Sequence, residues 1–163
     1  MRFPTRRCGG WPNTRTTRCT CCGRSGPHRP ALRHRGDQPE REYLLVTEFF
    51  TGAVEIGEAA VNDAVIDQGL ALIRRLWDAG IAHRDIKPGN LMVRDGQLLL
   101  IDVCFVQVRP SPWRQAVDLG NMMLVLALRS DPQRVYRRAL AYFTPGELAE
   151  AFAATRGVAS PTL

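Results

Sequence analysis

Apolar side chains are spread so unevenly along this chain that only part of it can build a core. Among Leu, Ile, Val and Phe, the first 42 residues contain only Phe3 and Leu32. Such a stretch cannot bury enough apolar area to offset the entropy of ordering it. From Tyr43 onward Leu, Val, Ile and Ala are abundant. The expected organisation is a disordered Arg/Cys/Pro-rich segment over 1–42 and one domain over 43–163. Charge divides at the same place. Residues 1–42 hold 10 Arg, no Lys and three acids, so they carry +7 of a net +6, and 43–163 carry −1. The basic balance therefore belongs to one end segment, and no specific nucleic-acid face is expected on the domain.

The end segment also holds Cys8, Cys19, Cys21 and Cys22, four of the five cysteines. Arg2, Arg6 and Arg7 have no apolar run behind them, so no secretory signal is read here, and a reducing, cytoplasmic setting is expected. The most apolar window, Met122–Leu128, is far short of the ~20 residues of a membrane helix. Three readings of 1–42 stand side by side. Cys8, Cys19, Cys21, Cys22, His28 and His34 are candidate zinc ligands, although Cys-x-Cys-Cys is not a paired knuckle. A basic tail could touch nucleic acid or acidic lipid. The favoured reading is a stretch with no evolved role in the domain, since an all-Arg, Cys- and Pro-rich makeup is what a GC-rich shifted frame gives.

Within 43–163 the pattern predicts an α+β domain, mainly helical, with one β-hairpin. Tyr43–Phe49 reads as a buried strand. Asn62 or Asp63 caps a helix that runs to Ala79 and stops at Gly80. Its apolar positions Val65, Ile66, Gly69, Ile73, Leu76 and Trp77 recur at helical spacing. Leu91–Val93 and Leu98–Ile101 flank Asp95-Gly96, the strongest short hairpin signal. Ser111-Pro112 opens a second helix to about Arg129, and Met122–Leu128, apolar on all sides, predicts that it is enclosed. Asp131-Pro132 opens a third. Thr144 with Glu147 fits a capping box for a fourth, closed by Gly157.

The chemistry lies between the first helix and the hairpin, in His83-Arg84-Asp85-Ile86-Lys87-Pro88-Gly89-Asn90, with Asp102 at the end of the hairpin's second strand. Here the chain resembles the protein-kinase-like superfamily. Its catalytic loop, His-Arg-Asp-x-Lys-Pro-x-Asn, matches across eight positions, and a hairpin ending in an acidic residue is what should follow. The resemblance implies a kinase-like large lobe that transfers the γ-phosphoryl group of ATP to a hydroxyl, with Mg²⁺.

Phosphoryl transfer needs in-line positioning and neutralised phosphate charge. Asp85 would accept or orient the proton of the attacking hydroxyl. Asn90 could offer an amide oxygen, and Asp102 a carboxylate, to Mg²⁺, a hard ion that takes few protein ligands. Lys87 would reach the γ-phosphate as a point charge. By resemblance, His83 and Arg84 hold the loop's backbone, and Asp118 hydrogen-bonds it from the enclosed helix. Backbone groups around Glu48, Phe49 and Phe50 would meet the adenine as a hinge.

Three departures bear on activity. Lys87 is the only lysine in the chain, whereas a working kinase grips the nucleotide phosphates with another on a small-lobe strand. No G-x-G-x-x-G loop occurs, and a small lobe before the hinge needs roughly 50 residues. A truncated, weakly active enzyme is therefore expected, or an inactive binding module, with a partner as a possible source of the missing lobe. Finally, the metal motif reads Ile101-Asp102-Val103, and the segment to Pro110 is short with no Ala-Pro-Glu. That looks more like RIO, lipopolysaccharide-core or aminoglycoside kinases, so the acceptor could be serine, threonine, a small molecule or a lipid sugar.

Overall fold

The computed structural model of the chain describes residues 31–34, 43–46 and 49–156, the first two stretches by backbone alone. The candidate ligands Cys8, Cys19, Cys21, Cys22 and His28, the His34 side chain, Glu48 and Gly157 lie outside the described residues. The chain divides after Phe49 into two units. In the first, β1 (Ala31–His34) pairs antiparallel with β2 (Tyr43–Val46), Ala31 opposite Val46 and His34 opposite Tyr43. β1 falls within 1–42, and β2 begins the stretch from Tyr43 onward. Phe49 is 86% exposed; the buried strand expected to reach it ends by Val46.

The second unit is α+β and mostly helical. After β3 (Val54–Glu55), Asn62 caps α1 (Asp63–Asp78), its side chain accepting the Val65 N–H at 3.0 Å. This satisfies one of the donors orphaned at a helix start. The helix ends at Ala79, and Gly80 takes φ +66°, the left-handed stop the sequence predicts. Val65, Ile66, Gly69, Leu70, Leu72, Ile73 and Leu76 form its buried face.

A short strand, β4 (Ile81–Ala82), leads into the polar loop. The hairpin follows as β5 (Leu91–Arg94) and β6 (Gln97–Leu100), Leu91 opposite Leu100 and Arg94 opposite Gln97. Asp95 and Gly96 both have positive φ, 51° and 73°, as a primed two-residue turn requires. With β3 on β5 they form a three-stranded antiparallel sheet. Gln68 ties this sheet to α1: its Nε2 donates to the Gly96 carbonyl and its Oε1 accepts the Leu98 N–H, both at 2.9 Å.

β7 (Gln107–Val108) returns to pair with β4, Ile81 opposite Val108. Then come α2 (Pro112–Leu128), α3 (Pro132–Ala139) and α4 (Pro145–Thr155), each with proline in the first turn. The core lies where α2 meets the other helices, around Ile66, Leu70, Ile73, Leu119, Met122, Leu126 and Leu148. α2 and α4 pack closely at Gly120, where a Cβ would sit 2.4 Å from Thr155 Cγ2 and 2.9 Å from the Ala151 carbonyl oxygen. Thr144 and Glu147 form the capping box.

The enclosure expected of Met122–Leu128 is corrected. Leu124 and Leu128 are 41% and 59% exposed. Four residues apart, they share one face of α2, and among the described residues no helix covers it.

Candidate active site

β4 carries the chain to the buried His83, after which Arg84 adopts φ +72°. That left-handed turn redirects the backbone into the loop, a conformation that costs a non-glycine residue about 1–2 kcal/mol. What holds it is Asp118, on the buried side of α2 and 1% exposed. Its Oδ2 accepts the His83 N–H at 2.5 Å and its Oδ1 accepts the Arg84 N–H at 2.9 Å. A buried carboxylate is costly unless its oxygens find donors; here two successive backbone amides supply them. Burial pushes the Asp118 carboxyl up to about 6, opposed by the Arg84 and His83 amides and the Arg84 charge.

Past Arg84, Ile86 is buried and anchors the loop. Pro88 opens a single 3₁₀ turn, Pro88–Asn90, closed by the Asn90 N–H on the Lys87 carbonyl at 3.0 Å. The turn brings Asn90 back under Asp85. Asn90 is buried, and its Nδ2 donates to Asp85 Oδ2 at 2.8 Å and to the Asp85 carbonyl at 2.9 Å. Lys87 Nζ donates to the same Oδ2 at 2.9 Å. One carboxylate oxygen therefore receives both an amide and an ammonium. The Lys87 ammonium is raised above its usual range by the Asp85 hydrogen bond first, then by the charges of Asp85 and Asp102. Since Lys87 is half-exposed, this pair orients side chains more than it stabilises the fold.

Asp102 enters from the hairpin. The Ile101 N–H donates to the Asn90 carbonyl at 3.0 Å, which fixes the end of β6 beside the end of the loop. Asp102 has φ +60°, a left-handed backbone that aspartate tolerates better than most residues. Its Oδ1 accepts the Cys104 N–H at 3.3 Å, opening a second 3₁₀ turn, Val103–Phe105. The Cys104 thiol and amide hold the Asp102 carboxyl below its usual range, helped by the charges of Lys87 and His83. It is thus an exposed carboxylate kept ionised. The segment behind it is tied down at once by the β4–β7 pairing and by the Arg109 N–H on the Gly80 carbonyl at 2.8 Å.

The structure thus brings Asp85, Lys87 and Asn90 into direct contact, with Asp102 near enough for its charge to act on Lys87. Because the Asn90 nitrogen is committed to Asp85, its amide oxygen points away from that carboxylate. This oxygen and the Asp102 carboxylate are the donors suited to a hard divalent ion. Among the described residues, no three His, Cys, Asp or Glu side chains cluster as a metal site.

The chain is 31% identical to Serine/threonine-protein kinase D of Synechocystis sp. (strain ATCC 27184 / PCC 6803 / Kazusa) over 86 residues. That stretch covers 50% of this chain and 17% of the kinase. The likeness relates the chain to a serine/threonine kinase over that stretch. No family model matches it.

Of the expected hinge residues, Glu48 lies outside the described residues and Phe49 belongs to the first unit. Phe50 lies under the Arg94 guanidinium at 5.5 Å, at the turn end of the hairpin, and its carbonyl accepts the Ala53 N–H at 3.1 Å. Two surface hollows, of about 370 and about 490 Å³, are lined from α3 and α4 and their neighbours and include none of the site residues.

Sequence reading missed two supports. Cys104, whose amide caps Asp102, follows the Asx-turn habit of an aspartate two residues before its donor. Trp77 donates its indole N–H to the Gln115 carbonyl at 3.0 Å, tying α1 to α2 one turn before Asp118. No local pattern announces that second contact. Among the described residues, no helix is long and apolar enough to cross a membrane.

Proposed function

We propose that this chain carries the catalytic-loop half of a phosphotransferase site, moving the γ-phosphoryl group of ATP to an alcohol hydroxyl. The observation that carries the reading is the convergence of Lys87 and Asn90 on a single oxygen of Asp85. In this reading the acceptor hydroxyl gives its proton to Asp85 as its oxygen bonds to the γ-phosphorus. The bond from that phosphorus to the bridging oxygen breaks, and ADP leaves. Asn90 holds the Asp85 carboxylate in one orientation, which counts because misplacement of reacting groups is costly in rate. Lys87, kept protonated, offsets charge on the transferred group.

The donor set fits Mg²⁺: the ionised Asp102 carboxylate and the Asn90 amide oxygen are hard ligands, few in number, as that ion prefers. Bound there, the ion would neutralise phosphate charge. Likeness to a serine/threonine kinase favours a serine or threonine hydroxyl as acceptor; a small-molecule or lipid-sugar hydroxyl fits the short, tied-down segment after Asp102.

A second reading, a nucleotide-independent binding module descended from a kinase, is favoured by one fact. Lys87 is the only lysine in the chain, so a second phosphate-gripping lysine must come from outside it. Titration of the chain with ATP and Mg²⁺, followed by thermal unfolding, separates the two. A saturable rise in Tm supports the phosphotransferase site, because a ligand that binds only the folded state stabilises it. No rise at millimolar Mg²⁺–ATP favours the binding module.

A further inference from the structure

The Asp118 contact differs from the other carboxylate contacts of the second unit. Asp63, Asp67 and Glu147 meet arginine side chains at the surface. Asp118 is buried and meets two consecutive backbone amides, and the second of these belongs to a residue in the left-handed region. A backbone held against its own preference depends on what holds it.

We propose that Asp118 is a protonation-controlled latch on the His83–Asn90 loop: ionised, it holds both amides, and protonated, it lets go of the Arg84 amide. The proton comes from solvent and resides on Oδ1, the oxygen with the longer bond. That oxygen then carries a hydrogen facing an N–H, so donor meets donor and the contact is lost. The shorter bond from the His83 amide to Oδ2 survives. Released, Arg84 relaxes from φ +72° and carries Asp85, the next residue, with it.

The groups around the latch make this titration its own. From the loop, Arg84 supplies the charge that favours the ionised form, and the buried His83 is the titratable neighbour. On α2, Arg114 lies one turn earlier. From α1 and α3, Asp63 and Asp67 are engaged by Arg134 and Arg138, and Asp78 by Arg74. From α4, the atoms nearest Gly120 belong to Ala151 and Thr155, neither of which titrates. Burial places the Asp118 midpoint near 6, inside a range that cells and compartments visit.

The inference stands on loop geometry and not on phosphotransfer, so its test contains no nucleotide. The full chain, labelled with ¹³C and ¹⁵N, is titrated between pH 4 and 8 by NMR. The Asp118 carboxyl carbon and the Arg84 amide are expected to move together through one transition near pH 6, with the His83 amide moving less. An Arg84 amide that stays flat while the Asp118 carbon titrates would overturn the latch. So would an Asp118 midpoint near 4. Asp118→Asn adds a second check: if it folds, the Arg84 transition should vanish, and its persistence assigns the transition to His83 and overturns the proposal. If it does not fold, the unmodified chain alone decides.

Discussion

Asn90 donates both hydrogens of its side-chain amide to Asp85, one to the carboxylate at 2.8 Å and one to the backbone carbonyl at 2.9 Å. The proposed proton acceptor is therefore held at two points by the proposed metal ligand. Orientation of Asp85 and orientation of the Asn90 oxygen are one property, set by a 3₁₀ turn of three residues.

Asp85→Asn removes the proposed proton acceptor yet keeps the size of the side chain. Phosphate transfer to an added hydroxyl acceptor should fall by about 10²- to 10⁴-fold, the usual contribution of a general base. Radiolabel transfer from ATP measures it. Equal rates for the two proteins would remove Asp85 from the chemistry.

Asp102→Ala deletes the ionised carboxylate and the cap on the Cys104 amide. The rise in Tm produced by ATP with Mg²⁺ should shrink, whereas any rise produced by ATP in EDTA should not. Differential scanning fluorimetry reads both arms. An undiminished Mg²⁺-dependent rise would place the ion elsewhere.

Asp118 gives stability a defined dependence on pH. Its carboxyl is raised from 3.8 to about 6 by burial, so the folded state binds this proton more tightly than the unfolded one. The contribution is fully present below pH 3.8 and is lost as pH rises through 6. At 1.36 kcal/mol per unit the shift corresponds to about 3 kcal/mol. Urea denaturation between pH 4 and 7 should show this term in the wild type and its absence in Asp118→Asn. Identical pH slopes in the two proteins would contradict it.

Gly120→Ala places a methyl group 2.4 Å from Thr155 Cγ2 and 2.9 Å from the Ala151 carbonyl oxygen. The threonine can turn, but the carbonyl belongs to α4 and can move only with its helix. A loss of about 1–3 kcal/mol is expected, as for other overpacked sites. Thr155→Ala should recover only part of it in a double-mutant cycle.

Thr144→Ala breaks the capping box at the start of α4, where the hydroxyl accepts the Glu147 N–H at 3.2 Å. Loss of such a cap costs about 1 kcal/mol. Glu147 also receives Arg74 from α1 at 3.0 Å, so the helix should stay docked while its first turn loses protection. Hydrogen exchange at the amides of residues 146–148 reports this, and unchanged exchange would mean the cap contributes nothing.

The local rules of the chain were written in its residues. Asn62 and Gly80 bound α1, Asp95-Gly96 turns the hairpin, and Thr144 with Glu147 starts α4, because caps and turns are decided by bonds between residues two to four apart. The eight-residue loop was legible for the same reason: Pro88 and Asn90 fold it back on Asp85 within five residues. The α+β, mainly helical class followed from these. Tertiary packing decided the rest. Tyr43–Val46 pairs with Ala31–His34, since a strand takes whichever partner completes its ladder. Leu124 and Leu128 stay exposed although Met122–Leu128 is apolar on all sides, because burial depends on which neighbours arrive. Asp118 meets the amides of His83 and Arg84 across 35 and 34 residues, a contact that exists only once α2 has docked, and docking alone turns an ordinary surface acid into a buried one.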